Sequence, residues 1–249
     1  TKSIEFSYSG KPVTLKMNNV TLSSTDEAAL LVSGGELIIQ NAATLEGASA
    51  SGELSSTPAI KVTDGALTFN GTVNATGGAK NSSAAPAILV EGGTVTFNQT
   101  VTATAAVNEE ANAAIAPAIK VTGSGKAIFN GTVKATGGLN GTTGNPRQCQ
   151  PAILADQNGE LEFNGDLNLN GGLTITGNAK LTKGLTRGTF QVKYLKADGE
   201  TEEAITEGKS VSVEGSTVYK NEKFGNVNKL LADKHVFVKI SPEGENDKY

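Results

Sequence analysis

Two glutamates are the residues of this chain best placed to do chemistry. Glu160 and Glu162 lie two positions apart, so on a β-strand both carboxylates would face the same side. Paired carboxylates are the groups that glycoside hydrolysis uses, one as the acid and the other as base or nucleophile. Lys126 occupies the position of Glu160 one repeat earlier in the chain. We therefore interpret these residues as an ion-pair group, and we predict no catalytic residue.

Metal and nucleophile chemistry have less support in the sequence. Asp64, Glu91 and Asp156 fall near the same turn on different repeats, which is too sparse for a calcium ion that needs six or more oxygen ligands. With one cysteine, Cys149, and one histidine, His235, a disulfide framework and a Cys/His zinc site within one chain are excluded. Cys149 is interpreted as a free thiol or as half of an intermolecular disulfide. We predict no metal and no cofactor.

Composition and charge exclude several classes of protein. The chain has 249 residues and a net charge of −4, from 21 Lys+Arg and 25 Asp+Glu, which gives no basic footprint for nucleic acid. No apolar run approaches the roughly 20 residues of a membrane helix, so we predict no integral membrane segment. A charged fraction of 18% argues against generic disorder, because disordered chains usually carry high net charge.

The chain is built from internal repeats, which must position any functional side chain. Pro-Ala-Ile begins four segments, at spacings of 28, 31 and 34 residues: Pro58, Pro86, Pro117 and Pro151. Each segment continues into a Phe-Asn pair, and the phenylalanines are Phe69, Phe97, Phe129 and Phe163. Weaker copies cover about residues 28–45 and 4–22, and a short final copy covers about 173–185.

Each repeat contains three short stretches of alternating apolar residues, separated by Gly, Asn and Thr. Alternation is the period of a half-buried strand, and the separating residues favour turns. The repeats therefore predict an all-β fold, a right-handed three-sided parallel β-helix of about six or seven rungs. Its phenylalanines should stack inside the coil, and the asparagines after them should form an outer or corner ladder.

Charge density divides the chain near residue 189. About one residue in eight is charged across 28–188, and about one in three across 189–249. We predict a β-helix repeat domain at 1–188 and a charged, β-rich cap and tail at 189–249, because an open solenoid end must be covered. Strands are expected at 189–195, 202–205, 209–213 and 236–240, and one or two helical turns are possible at 227–232.

Three loops of increasing length follow the third strand of successive repeats. They span 79–85, 107–116 and 139–150, and they would project from one edge of the stack. Binding residues concentrate on loops that a rigid scaffold carries. The predicted binding residues are Asn81, Asn108, Glu109, Glu110, Asn140, Asn145 and Arg147. The alternative contact is an outward apolar stripe of Leu31, Leu89 and Leu154.

The strings Pro58-Ala-Ile-Lys-Val, Ala66-Leu-Thr-Phe-Asn and Thr72-Val-Asn-Ala-Thr-Gly-Gly resemble the repeat of bacterial cell-surface parallel β-helix proteins. The resemblance covers about residues 28–185. It implies an adhesin-like or carbohydrate-binding module outside the cell or on its surface. Some relatives of this kind share their coil with pectate lyases, whose calcium acids and catalytic arginine find no match here. Arg147 and Arg187 are the only arginines.

The sequence thus predicts a non-enzymatic extracellular binding or adhesion module for a polysaccharide, a cell-surface glycan or a protein partner. The first alternative is a polysaccharide lyase or hydrolase with a degenerate or unrecognised active site. A further alternative is a structural surface protein or an ice-binding coil, because threonines recur at Thr72, Thr100 and Thr132. Asp166, Asn168 and Lys134 interrupt that threonine-rich face.

Overall fold

The computed structural model consists of β-strands and turns throughout the residues that it describes. These residues are 3–17, 20–24, 27–47, 56–80, 83–108, 114–140, 150–176, 178–183, 188–195, 202–204, 211–213, 216–218 and 236–242. Among them there is no helix of the length and apolarity that a membrane span requires.

Short strands follow one another along this part of the chain. The strands of residues 4–76 are β1 (Ile4–Ser7), β2 (Val13–Lys16), β3 (Thr21–Ser23), β4 (Leu30–Gln40), β5 (Ala43–Glu46), β6 (Ile60–Phe69) and β7 (Val73–Thr76). Those of residues 79–140 are β8 (Ala79–Lys80), β9 (Ser83–Ala84), β10 (Ile88–Val90), β11 (Thr94–Phe97), β12 (Val101–Thr104), β13 (Val107–Asn108), β14 (Ile119–Val121), β15 (Lys126–Phe129), β16 (Val133–Thr136) and β17 (Leu139–Asn140). Those of residues 153–242 are β18 (Ile153–Ala155), β19 (Glu160–Phe163), β20 (Leu167–Asn170), β21 (Leu173–Ile175), β22 (Lys180–Lys183), β23 (Gly188–Leu195), β24 (Glu202–Ala204), β25 (Val211–Val213), β26 (Ser216–Val218) and β27 (Val236–Pro242).

Strands from successive turns pair side by side in three columns. The first column runs through β1, β4, β6, β10, β14, β18 and β21, and the second through β2, β4, β6, β11, β15, β19 and β22. Because β4 and β6 continue through both columns, these form one sheet of 12 strands. The third column runs through β3, β5, β7, β12, β16 and β20. All these pairs are parallel, which confirms the predicted parallel β-helix.

The pairing register is the one that the repeat alignment predicts. Ile88 lies between Ile60 and Ile119, and Val101 lies between Val73 and Val133. Four central turns match most closely, at residues 58–76, 86–104, 117–136 and 151–170. The unequal repeat lengths leave the strands in step because most of the extra residues lie in the loops after the third column. One more extra residue, in the repeats that begin at Pro117 and Pro151, lies at the corner between the first and second columns.

The core is the inside of the coil. Each turn contributes six inward side chains, two from each column, and from Leu30 to Leu169 none of these is more than 4% exposed. Phe69, Phe97, Phe129 and Phe163 stack with ring centroids 5.3, 5.2 and 5.0 Å apart. The predicted aromatic ladder is confirmed. In the first turn Ile4, Phe6, Leu15 and Leu22 are only half-buried, because they are covered by one neighbouring turn instead of two.

Glycine is required where the first column turns into the second. Gly65 has a φ of +80°, and a Cβ placed on it would lie 2.4 Å from the carbonyl oxygen of Gly35 on the previous turn. Gly93 repeats this arrangement one turn later, with a φ of +67°. A side chain at either position would meet both an unfavourable backbone conformation and the neighbouring turn. Glycine therefore allows the backbones of successive turns to approach each other closely at this corner.

Beyond the last turn, the described strands are antiparallel. β27 pairs with β20, β23 with β27, and β24 with β23, so the sheet of the third column reaches nine strands. The strands predicted at 189–195, 202–205, 209–213 and 236–240 correspond to β23, β24, β25 and β27. The helical turns predicted at 227–232 lie outside the described residues. The division into domains 1–188 and 189–249 stays a prediction.

Candidate functional site

The loops at 79–85, 107–116 and 139–150, called here the loop edge, contain all the predicted binding residues. Asn108 lies in β13 and Asn140 in β17, and these two strands pair in parallel with Asn108 opposite Asn140. The remaining five lie outside the described residues: Asn81, Glu109, Glu110, Asn145 and Arg147. The structure therefore places two of the seven on adjacent turns.

The loops begin with a short fourth strand that the sequence analysis missed. β8 forms an antiparallel hairpin with β9, and the backbones of Val107 and Leu139 stack like those of the three main columns. The signal was present in the sequence, since Val107-Asn108 and Leu139-Asn140 occupy equivalent positions after the third strand. Two-residue strands are too short for an alternation pattern to reveal.

Backbone hydrogen bonds close two of the loops at their bases. Ala85 N–H donates to the carbonyl of Gly78, and Gln150 N–H donates to the carbonyl of Gly138, at 2.9 and 3.0 Å. Gly138 N–H in turn donates to the carbonyl of Ala116 at 3.0 Å. The 79–85 and 139–150 loops are thus held to the turns at both ends, which leaves the coil as a rigid support for their tips.

The outer face of the first column alternates leucine and lysine. Leu31, Lys61, Leu89, Lys120 and Leu154 follow one another on successive turns, and all five are half-buried. The aliphatic stems of the lysines can cover the leucines, which accounts for an apolar stripe on an outer face. Each lysine also binds an acid of the next turn, Lys61 to Glu91 at 3.0 Å and Lys120 to Asp156 at 3.2 Å.

These ion pairs involve two of the three acids considered as calcium ligands. Glu91 and Asp156 face different lysines, and the Asp64 carboxylate accepts a hydrogen bond from the backbone N–H of Gly65 at 2.7 Å. Among the described residues, no three His, Cys, Asp or Glu side chains are grouped as metal ligands.

The asparagines at the corner between the second and third columns form a hydrogen-bonded ladder. Asn98 donates its amide N–H to the side-chain oxygen of Asn70, Asn130 to that of Asn98, and Asn164 to that of Asn130, at 2.7, 2.8 and 2.8 Å. This confirms the predicted ladder. Its amides bind each other, so their main role is to join consecutive turns.

The two glutamates singled out in the sequence share one lysine. Lys126 Nζ lies 2.8 Å from Glu160 and 3.6 Å from Glu162, which confirms the predicted ion pair. The hydrogen bond to Glu160, with the negative charge of both carboxylates, raises the pKa of Lys126 above its ordinary value although partial burial opposes the shift. Asn164 also donates to Glu162, at 3.2 Å.

The outer face of the third column, called here the threonine face, is rich in threonine and asparagine. It consists of twelve outward side chains on four central turns: Thr72, Asn74, Thr76, Thr100, Thr102, Thr104, Thr132, Lys134, Thr136, Asp166, Asn168 and Asn170. Within the part of the chain that the structure describes, none of these side chains makes a hydrogen bond or an ion pair. The sequence showed that threonines recur here, but it did not show that their hydroxyls lack partners.

No family model, curated protein or solved structure matches the chain.

Proposed function

We propose that this chain is a non-enzymatic binding module that attaches to a polysaccharide or a cell-surface glycan, outside the cell or on a bacterial surface. The proposal rests on the contacts of the two glutamates that the sequence offered as a catalytic pair. Glu160 and Glu162 share the ammonium group of Lys126. Both carboxylates are thus held in ion pairs to one lysine of the previous turn, an arrangement typical of residues that join neighbouring turns of the coil.

Binding suits the scaffold better than catalysis for a second reason. The loop edge is carried by turns whose inward side chains are fully buried, and two of its loops are hydrogen-bonded at their bases. Such loops offer small polar side chains on a closely packed support. The proposed contacts remain Asn81, Asn108, Glu109, Glu110, Asn140, Asn145 and Arg147, which suit shallow recognition of sugar hydroxyls better than a deep pocket.

A glycan array probed with the intact chain tests the proposal. We expect retention of at least one polysaccharide and no release of soluble products from it. If no glycan is retained, polysaccharide binding is wrong. If a polysaccharide is cleaved and Glu160→Gln or Glu162→Gln abolishes the cleavage, the chain is a lyase or hydrolase instead.

A loop variant tests where the ligand binds. Cutting 107–116 and 139–150 to seven residues each, the length of 79–85, should weaken binding of the retained glycan by tenfold or more. Leu89→Glu, on the half-buried stripe of the first column, is the control and should bind normally. If the loop variant binds normally and Leu89→Glu loses binding, the contact surface is instead the outward apolar stripe of Leu31, Leu89 and Leu154.

A further inference from the structure

The threonine face carries hydrogen-bonding groups that the protein itself does not use. Ten of its twelve side chains are hydroxyls or amides, and none of the twelve has a partner among the described residues. Hydroxyls and amides both donate and accept hydrogen bonds. The face can therefore meet a ligand whose surface also consists of groups that donate and accept, and the hydroxyls of a sugar are such groups.

The side chains of the face are held in place before any ligand arrives. Thr102 lies between Val101 and Ala103, whose side chains are fully buried, so its own side chain is fixed outward. Threonine is β-branched and has restricted χ1 freedom on a strand. Little conformational entropy is lost when such a side chain binds, which favours binding through many weak contacts.

The shape of the face fits an extended polymer. The strands beneath it are four residues long in the central turns, and the sheet to which they belong has nine strands. The face itself covers four of these strands, β7, β12, β16 and β20, so at about 4.8 Å per strand it extends roughly 14 Å along the stack and about 13 Å across each strand. Equivalent outward side chains repeat at that spacing, so a linear chain along the stack would meet similar groups on all four turns.

The charge of the face favours a neutral ligand. Lys134 and Asp166 are its only charged members, and their charges cancel. An anionic polymer would gain little over a neutral one, because binding of a polyanion depends on clustered positive charge.

We infer that the threonine face binds a neutral, linear polysaccharide that runs along the stack of strands. The inference rests on the proposed function and adds the ligand class, its direction and the main contact surface. Only Ala105 and Ala106 separate Thr104, which ends β12, from β13, so the face lies next to the strand that contains Asn108.

A matched pair of triple variants tests the surface. Thr72→Val, Thr100→Val and Thr132→Val together remove three hydroxyls at the side of the face farthest from the loop edge. Thr68→Val, Thr94→Val and Thr96→Val together remove three half-buried, unbonded hydroxyls from the second column and serve as the control. Binding of neutral xylan, glucomannan and hydroxyethyl cellulose is measured by affinity electrophoresis and calorimetry. For the polymer that binds, we expect a loss of about tenfold or more in the face variant and less than about twofold in the control.

The length of the ligand provides a second, independent readout. With xylo- or cello-oligosaccharides of one to eight units, affinity should rise with length over about the first four units and then level off, because the face lies on four turns. Equal affinity for one unit and for the polymer would overturn the inference, since it indicates a pocket. So would equal losses in the two triple variants, or thermal hysteresis of ice growth that the face variant abolishes.

Failure of the inference and failure of the proposed function give different results. If only anionic polygalacturonate is retained, or if neutral binding is lost in the shortened-loop variant but not in the face variant, the inference is wrong and the proposed function stands. If the intact chain retains neither neutral nor anionic polysaccharide, the proposed function is wrong, and the inference fails with it.

Discussion

The asparagine ladder and the threonine face lie in neighbouring parts of the same turns, but they differ in their hydrogen bonds. The ladder side chains bond to one another, whereas the side chains of the threonine face have no partner among the described residues. The Asn98 side chain bonds to Asn70 at 2.7 Å and to Asn130 at 2.8 Å, whereas the side chains of Thr100 and Thr102, a few residues later, have no hydrogen-bond partner in the described chain. Both sets are polar, and both recur on every central turn. Recurrence in the sequence therefore does not distinguish residues that hold the coil together from residues that remain available to a ligand.

Side-chain reach explains the difference. Identical residues on successive turns repeat at about 4.8 Å, which exceeds the length of a hydrogen bond. Two threonine hydroxyls that keep the same rotamer on successive turns stay about that far apart and do not bond. An amide has its donor and its acceptor on different atoms, so the nitrogen of one turn can reach the oxygen of the next. Asparagine therefore bonds along the stack, and threonine faces outward.

The largest loss of stability should come from a change in the phenylalanine stack inside the coil, which lies beneath both regions. Phe97 is 1% exposed and stacks between Phe69 and Phe129, so Phe97→Ala should lower the free energy of unfolding by about 3–5 kcal/mol. Urea denaturation followed by circular dichroism measures the change. Thr96→Ala, the outward neighbour on the same strand, is the control and should cost about 0.5 kcal/mol or less. A loss under about 1 kcal/mol for Phe97→Ala would contradict its burial.

Breaking the ladder should have an intermediate effect. Asn98→Ala removes one hydrogen bond in each direction along the stack, and we expect a loss of roughly 1–2 kcal/mol in unfolding free energy. Thr102→Val on the threonine face keeps the shape of the side chain and removes only an unbonded hydroxyl. It should change stability by less than about 0.5 kcal/mol. Equal losses in the two variants would mean that the ladder and the face do not differ in their role.

Most of the fold follows from the repeats because burial leaves a strict pattern. Inward positions such as Ile88 and Phe97 must stay apolar in every turn, whereas outward positions may vary, so the alternation fixes strand, face and register together. The Lys126–Glu160 pair also followed from the repeat spacing, since equivalent positions are neighbours. The site is harder to predict from sequence. Whether Thr102 has a partner depends on distances between turns, and residues such as Asn81 lie in loops whose lengths differ from repeat to repeat.

The smallest expected effect on stability comes from the ion pairs of Lys126 with Glu160 and Glu162. They lie beside the last asparagine of the ladder, Asn164, whose side chain donates a hydrogen bond to Glu162. The pKa of Lys126 is raised in the folded protein, mainly by its hydrogen bond to Glu160. The folded state therefore holds this proton more tightly than the unfolded state does. The resulting stabilisation is complete below the unfolded pKa of about 10.5 and disappears as the pH rises through the higher folded value.

Lys126→Met should measure that contribution directly. Because the lysine side chain is 30% exposed, we expect the variant to lose less than about 1 kcal/mol at about pH 8. The difference from the unmodified protein should shrink as the pH is raised from about 8 towards about 12, because the contribution disappears as the pH rises through the raised pKa of Lys126. Lys134→Met is the control, since Lys134 has no ion pair in the described chain and its effect on urea stability should not change between the two pH values in this way. A Lys126→Met difference that is the same at both pH values would show that the stem of the lysine, and not its charge, stabilises this part of the stack.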